Sequence, residues 1–232
     1  MLSERQEKIL SDIVEHYVSS KEPVGSLLLA ESKRWRVSAA TLRNEMSALE
    51  KRGYITHQYT SSGRVPTAMG YRYYVDHFLK PVKLDSVLRG RLNKAFEKVE
   101  DSEDEDKVKV IARELAELSE AAVIVVFHKD YFYYTGFTYL FVQPEFLNRD
   151  YLTNLGESLD ATEENLHTIL PKLREGINVF IGDETGFTAP CAFIASPSVN
   201  KNENSMIGIL GPMRMDYNKN CGLLSYVYEL IS

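Results

Sequence analysis

Between Val37 and Gly53 the chain carries a full set of signals that start and stop an α-helix. Ser38 is placed to accept from the first free backbone N–H groups, and Val37 and Leu42 stand at the two ends of a hydrophobic staple. Lys51 and Arg52 suit the negative end of the helix dipole, and Gly53 supplies the stop. These signals predict a helix over Ala39 to Arg52. At about 100° per residue, Leu42, Met46 and Leu49 share one face, while Ala40, Arg43, Asn44, Ser47 and Lys51 share the other. Small residues let a helix backbone enter a major groove, Arg reaches guanine edges or phosphates, and Asn pairs with adenine. Ser38 at the start and Thr41 at the flank, where it is suited to hold a phosphate, complete this candidate DNA-reading helix. The competing reading is a plain surface helix with a solvated polar side.

The flanking segments bear on that choice. Ser3 and Gln6 have capping-box spacing, and Ile9, Leu10, Ile13, Val14 and Tyr17 recur at helical intervals, giving a first helix to Ser20 that Lys21-Glu22-Pro23 stops. A short second helix is expected from Ser26 to Lys33 with Leu28 and Leu29 inward. After Gly53, Tyr54 to Tyr59 alternates like a strand, Thr60-Ser61-Ser62-Gly63-Arg64 reads as a turn, and Val65-Pro66 returns. Three helices followed by such a hairpin read as a winged helix-turn-helix. The Ser61 and Ser62 hydroxyls are suited to donate to a sugar-phosphate backbone and Arg64 to neutralise it. An ordinary polar hairpin is the alternative. Thr67 opens a further helix whose Tyr71, Tyr74, Val75 and Phe78 are expected to pack on the first helix or a second subunit rather than to stack on bases.

The net charge of −6 speaks against nucleic acid only as an average. Residues 1–80 hold 12 basic against 9 acidic side chains, and the remainder 15 against 24, so the basic excess sits with the candidate reading helix. The longest apolar run, Ala121 to Phe127, is far shorter than the roughly 18 residues a membrane span needs. The polar start, Met1 to Glu7, lacks the apolar stretch of a secretory signal, and a cytoplasmic protein is expected. Cys191 and Cys221 form no CxxC pair and read as ordinary buried thiols.

Beyond Leu79-Lys80-Pro81, two helical patterns follow, one through Val87, Leu88, Leu92, Ala95, Phe96 and Val99, the other through Val108, Ile111, Leu115 and Leu118. The acidic run Glu100 to Asp106 between them matches no calcium loop and reads as a solvated connector. Strands are expected at Ala121 to Phe127, from Tyr131, at Asn178 to Gly182, at Cys191 to Ala195 and at Met206 to Leu210. His128-Lys129-Asp130 reads as a tight turn, Thr162 as the cap of a helix ending near Glu175, and Tyr217 to Ile231 as a final helix. The fold class is α+β: a winged helix-turn-helix at 1–80, a helical connector at 81–120, and an antiparallel sheet partly covered by helices at 121–232. The rings of Tyr131, Phe132, Tyr133, Tyr134, Tyr139 and Phe141 admit two readings. They are sheet core, or Tyr131, Tyr133 and Tyr139 form a dimer interface. Arg214 and Asp216 either form a sensing pair or orient the last turn and cap the final helix.

Several long motifs resemble the heat-inducible transcription repressor family HrcA. They are Glu22-Pro23-Val24-Gly25-Ser26, Val37 to Met46, Thr60 to Thr67 with Gly70 to Asp76, Gln143-Pro144-Glu145-Phe146, Ile181-Gly182-Asp183-Glu184 and Gly211 to Tyr217. The resemblance covers nearly the whole chain. It implies repression of chaperone operons through double-stranded DNA with an inverted-repeat operator, a homodimer, the chaperonin as modulating partner, and a GAF-like regulatory or assembly domain at 121–232. The chain is shorter than typical members. The missing material falls near His128-Lys129-Asp130, just before Thr135-Gly136-Phe137, and corresponds to the family's inserted dimerisation module.

A catalytic function is not expected. His128, His167 and Cys191 have no partner at diagnostic spacing, and there is no nucleophile elbow, Walker loop, dinucleotide fingerprint or HExxH, nor any cofactor or metal motif. The rival to a DNA-binding repressor is a ligand-sensing or protein-interaction regulator without specific DNA binding.

Overall fold

The computed structural model describes residues 1–32, 34–57, 63–99, 103–128, 131–147, 149–187, 190–197 and 205–231. Ser61 and Ser62 of the expected turn, and Lys129 and Asp130, lie outside them. The chain divides into two compact units, Met1–Leu79 and Lys80–Ser232.

In the first unit, α1 (Glu4–Ser20) starts on the expected capping box: Gln6 N donates to Ser3 Oγ at 3.3 Å, and Ser3 N donates to Gln6 Oε1 at 3.2 Å. Lys21 leaves the helix at φ 64. The next helix, α2, covers only Ser26–Glu31, and only part of its expected inner face is inside. Leu29 is buried but Leu28 is 40% exposed, because Ser26 and Leu29, one turn apart, take the inner face of so short a helix. α3 (Ala39–Lys51) follows, and Gly53 turns at φ 81 into β1 (Ile55–His57). β1 pairs antiparallel with β2 (Arg64–Pro66) in the register Ile55 to Pro66 and His57 to Arg64. α4 (Ala68–Phe78) ends the unit. Ile9, Leu10, Ile13 and Val14 of α1 meet Leu42, Met46 and Leu49 of α3 and Tyr71, Tyr74 and Val75 of α4 in a closed core.

The second unit begins with α5 (Ser86–Glu97) and α6 (Asp104–Ser119), which pack on each other. Asp104, Glu105 and Asp106 of the acidic run form the first turn of α6, where the positive end of the dipole favours them. β3 (Ala122–His128) and β4 (Tyr131–Thr135) come next, then α7 (Phe137–Phe141), α8 (Arg149–Asp160) and α9 (Thr162–Ile169). β5 (Asn178–Ile181), β6 (Cys191–Pro197), β7 (Met206–Pro212) and α10 (Tyr217–Ile231) complete it. The five strands form one antiparallel sheet in the order β4-β3-β7-β6-β5.

Both faces of that sheet are covered, more fully than expected. Ala122, Ile124 and Val126 pack with Leu140, Leu155, Leu166 and Ile169 from α7 to α9. The alternate residues Val123, Val125, Ile194 and Ile209 are equally buried on the face that α6 and α10 contact. This is why β3, β6 and β7 read as continuous apolar runs and not as an alternation.

Three further differences have local causes. Gly136, at φ 79, ends β4 and opens α7, so Tyr139 and Phe141 sit on a helix and not on the strand. A Cβ at Gly136 would fall 2.5 Å from the Ala121 carbonyl oxygen, which makes the position specific to glycine. Thr162 is the first residue of α9 and not its cap; the helix ends at Ile169 and tightens into a 3₁₀ turn, Leu170–Lys172, where Pro171 cannot continue the α-helical ladder. Of the two roles weighed for Asp216, capping fits: its Oδ1 accepts from Lys219 N at 2.9 Å and its carbonyl from Asn220 N. Arg214, 7% exposed, instead donates to Gln143 Oε1 at 2.8 Å and to the Glu145 carboxylate.

Candidate nucleic-acid interface

The geometry of the first unit begins with how α3 is seated. Ser38 Oγ accepts from Thr41 N at 3.2 Å and lies 3.0 Å from Thr41 Oγ1, so these two hydroxyls cap the helix together. Leu42, Met46 and Leu49 have no exposed surface. With that face fixed inward, Ala40, Arg43, Asn44 and Lys51 are exposed, and Ser38 is exposed beside them; Ser47 and Thr41 are half-buried at the margins. Seven of the ten sequence-derived candidates therefore lie along α3 and at its start.

On the inner side, α3 is braced against α1. Glu45 accepts from Gln6 Nε2 at 3.1 Å and pairs with Arg5 at 3.5 Å, and Arg52 donates to Gln6 Oε1 at 3.3 Å. Asp12 of α1 accepts from Trp35 Nε1 at 2.7 Å and from Arg34 at 2.8 Å, anchoring the segment that joins α2 to α3. That hydrogen bond and the carboxylate's charge raise Arg34 above the ordinary guanidinium range. These contacts are long-range and leave no periodic trace, so the sequence reading missed them.

The hairpin is set by backbone approach. Val24 and Arg64 exchange two backbone hydrogen bonds of 2.9 Å, and a Cβ at Gly63 would fall 2.6 Å from the Pro23 carbonyl group. Glycine at 63 is thus a steric requirement. Thr67 Oγ1 donates to the Gly53 carbonyl at 2.6 Å and accepts from Gly70 N at 3.2 Å, tying the start of α4 to the end of α3. Tyr73 donates to Glu7 Oε1 at 2.6 Å; burial first, and that carboxylate second, push its phenol up to about 12.

Arg64 is placed differently from a freely extended phosphate ligand. It is 14% exposed, and its Nε donates to Glu50 Oε2 of α3 at 3.2 Å. Ser61 and Ser62 lie outside the described residues.

The three candidate dimer tyrosines do not share one face. Tyr131 and Tyr133 lie on β4 on the α6 side, with Lys109 over the Tyr131 ring and Arg113 Nε donating to the Tyr133 hydroxyl at 2.9 Å. Tyr139 belongs to α7, whose Phe137 and Leu140 join the core on the other side of the sheet. Among the described residues, no three His, Cys, Asp or Glu side chains are grouped as a metal site requires, and no helix is long and apolar enough to cross a membrane.

Residues 72–220 match the family model described as the HrcA protein C-terminal domain. The chain belongs to the HrcA family. A heat-inducible transcription repressor HrcA from Ligilactobacillus salivarius is 55% identical over 86 residues, a match that takes in 37% of this chain and 25% of that relative. The HrcA of Brevibacillus brevis is 27% identical over 333 aligned positions, covering all of this chain and 97% of that one. Because 333 positions are set against 232 residues, that HrcA carries stretches with no counterpart here. The crystal structure of a hypothetical protein, 19% identical and covering 100% of this chain and 96% of that one, superposes with a TM-score of 0.74 and shares the fold.

HrcA membership makes the chain a transcription repressor and not an enzyme. The family match begins at residue 72, inside α4, and leaves α3 and the hairpin outside it.

Proposed function

We propose that residues 1–79 act as a winged helix-turn-helix, with α3 in the major groove of an operator and the β1–β2 hairpin along the adjacent backbone. The observation that carries this is the division of α3: three large apolar side chains fully buried, and Ala40, Arg43, Asn44 and Lys51 exposed on the opposite face with Ser47 half-buried among them. Arg43 and Asn44 carry the donors and acceptors that discriminate bases, and Ala40 keeps the helix thin enough for close approach. Ser38, Thr41, Ser47 and Lys51 hold phosphates on either side, joined by Ser61 and Ser62. Arg64 contributes by fixing the hairpin root on α3.

The second unit is proposed to be a GAF-like regulatory and assembly domain. A palindromic operator read by two such heads calls for a homodimer. The proposed contact is β4, since it is a terminal strand of the sheet and carries Tyr131 and Tyr133. Bound to the inverted repeat of a chaperone operon, the dimer excludes polymerase. The chaperonin is the proposed modulator, and the site of action is the cytoplasm.

Sedimentation of the purified protein with and without an inverted-repeat duplex, at two salt concentrations, tests this reading. A complex of two chains per duplex that dissociates at higher salt is expected, because neutralised phosphates release counterions. One chain per duplex, or binding indifferent to salt and sequence, would overturn it.

A further inference from the structure

Glu50 occupies the last turn of α3 and carries two contacts at once. Its Oε2 accepts from Arg64 Nε at 3.2 Å, and its Oε1 lies 3.3 Å from His57 Nε2. His57 and Arg64 are directly opposite each other in the β1–β2 ladder. One carboxylate therefore grips both strands of the hairpin at the same rung, and the helix that carries it is the one whose outer row bears Arg43 and Asn44. The group is largely withdrawn from solvent, with 29% of the Glu50 side chain, 34% of His57 and 14% of Arg64 exposed. Contacts of this kind are screened less by salt than fully exposed pairs. The other side of the hairpin root is already fixed by the Val24–Arg64 backbone pair and by the close approach at Gly63. On the α3 side, the backbone bond from Tyr54 N to the Leu49 carbonyl holds the start of the hairpin, and Glu50 adds the side-chain contact that reaches both of its strands.

We infer that Glu50 is a positioning residue for operator binding: it clamps His57 and Arg64 so that hairpin and reading helix meet DNA in a fixed mutual orientation. The inference rests on the DNA-binding reading above and gives it a residue that the outward row does not contain. It also opposes the simplest electrostatic expectation. A carboxylate beside a phosphate-binding surface repels DNA, so removing its charge should tighten binding. Positioning has the opposite sign, since the ordering lost from the free protein must be restored on binding.

Two substitutions separate geometry from charge. Glu50→Gln keeps length and helix propensity, but its amide has one acceptor oxygen and turns an N–H donor toward the partner that oxygen does not serve. Glu50→Asp keeps the charge on an arm one methylene shorter, which cannot span both contacts. The readouts are affinity for the inverted-repeat duplex, affinity for a random duplex of equal length, and hydrogen exchange of the β1 and β2 amides in the free protein. For both variants we expect about a fivefold loss on the inverted repeat, a smaller change on the random duplex, and faster exchange confined to the amides of Ile55–His57, Arg64 and Val65. Tighter binding by Glu50→Gln with unchanged Glu50→Asp would show that Glu50 acts only as a repelling charge and overturn the inference. Unchanged exchange in both variants would overturn it equally. If one variant fails to fold, the other still separates the two accounts: Glu50→Gln by the sign of its change, Glu50→Asp by a loss against no change. Should the unsubstituted protein fail to distinguish the two duplexes, the DNA-binding reading fails, while the exchange data decide separately whether Glu50 holds the hairpin.

Discussion

A Cβ placed on Gly70 would sit 2.1 Å from the carbonyl oxygen of Tyr54, so the first turn of α4 lies directly against the residue that begins the hairpin. The obstacle is backbone, which has no rotamer by which to yield. Gly70→Ala therefore forces α4 away from Tyr54 and strains the Thr67 hydrogen bonds beside it. A loss of about 1–3 kcal/mol in denaturant unfolding is expected, the range for overpacking a closed core. Gly25→Ala is the control, since nothing lies within 4 Å of its would-be Cβ and its φ of −92 suits alanine. It should change stability by about 0.5 kcal/mol or less.

Arg214 is the most buried guanidinium in the second unit among the described residues, and it serves two acceptors, Gln143 and Glu145, that precede α8. Arg214→Leu leaves the Glu145 carboxylate, 20% exposed, without its cation. Breaking such a pair from one side costs about 3–5 kcal/mol, and the partial exposure of Glu145 puts this case toward the lower end. The double variant Arg214→Leu with Glu145→Leu should recover much of that loss. Unfolding midpoints of the two single variants and the double variant measure the coupling; strictly additive losses would show that the pair does not act as a unit.

How far the sequence carried depended on whether a residue's role was local or long-range. The capping box at Ser3, the cap at Ser38 and the stop at Gly53 are satisfied by neighbours within a few residues, and α1 and α3 have nearly the bounds those residues imply. The Leu42, Met46 and Leu49 face was legible for the same reason, because a helical period is a local property. Glu50 was not legible as a clamp, since its partners are set by the fold of the hairpin. The aromatic run from Tyr131 was misjudged at Gly136, where close approach to Ala121 converts a strand into a helix and carries Tyr139 to the other side of the sheet. Nor was the covering of both sheet faces legible, because an apolar strand run does not say which helices close over it.

Burial pushes both Cys191 and Cys221 up to about 12 from an ordinary 9.0, with the nearby charges of Glu145 and Asp216 adding to it. In the unfolded chain the thiols lose their protons above about 9, whereas the folded protein retains them. The unfolded state then binds fewer protons, so stability is full below that pH and falls as pH rises toward 12. The slope is at most about 1.4 kcal/mol per pH unit for each thiol. Tyr73, also raised, acts in the same direction. Urea unfolding across the alkaline range should show this decline, and Cys221→Ala should flatten it. At about pH 8 a thiol reagent should label neither cysteine until the protein is unfolded; rapid labelling of the native protein would contradict their burial.

Arg43 and Asn44 project from the exposed face of α3, and their removal creates neither a cavity nor an unpaired buried group. Arg43→Ala and Asn44→Ala should leave the unfolding midpoint nearly unchanged. If their side chains read bases, each substitution costs about 1–3 kcal/mol on the preferred duplex and little on a duplex altered at the base that residue reads, so selectivity at that position is lost. Lys51→Ala should behave otherwise. A phosphate contact carries no sequence information, so affinity should drop to a similar degree on every duplex and the salt dependence should shallow by about one counterion. Titrating each variant against a panel of single-base operator changes at two salt concentrations distinguishes the two kinds of contact. A uniform loss from Arg43→Ala and Asn44→Ala across the panel would assign both to the backbone and move base reading elsewhere in the unit.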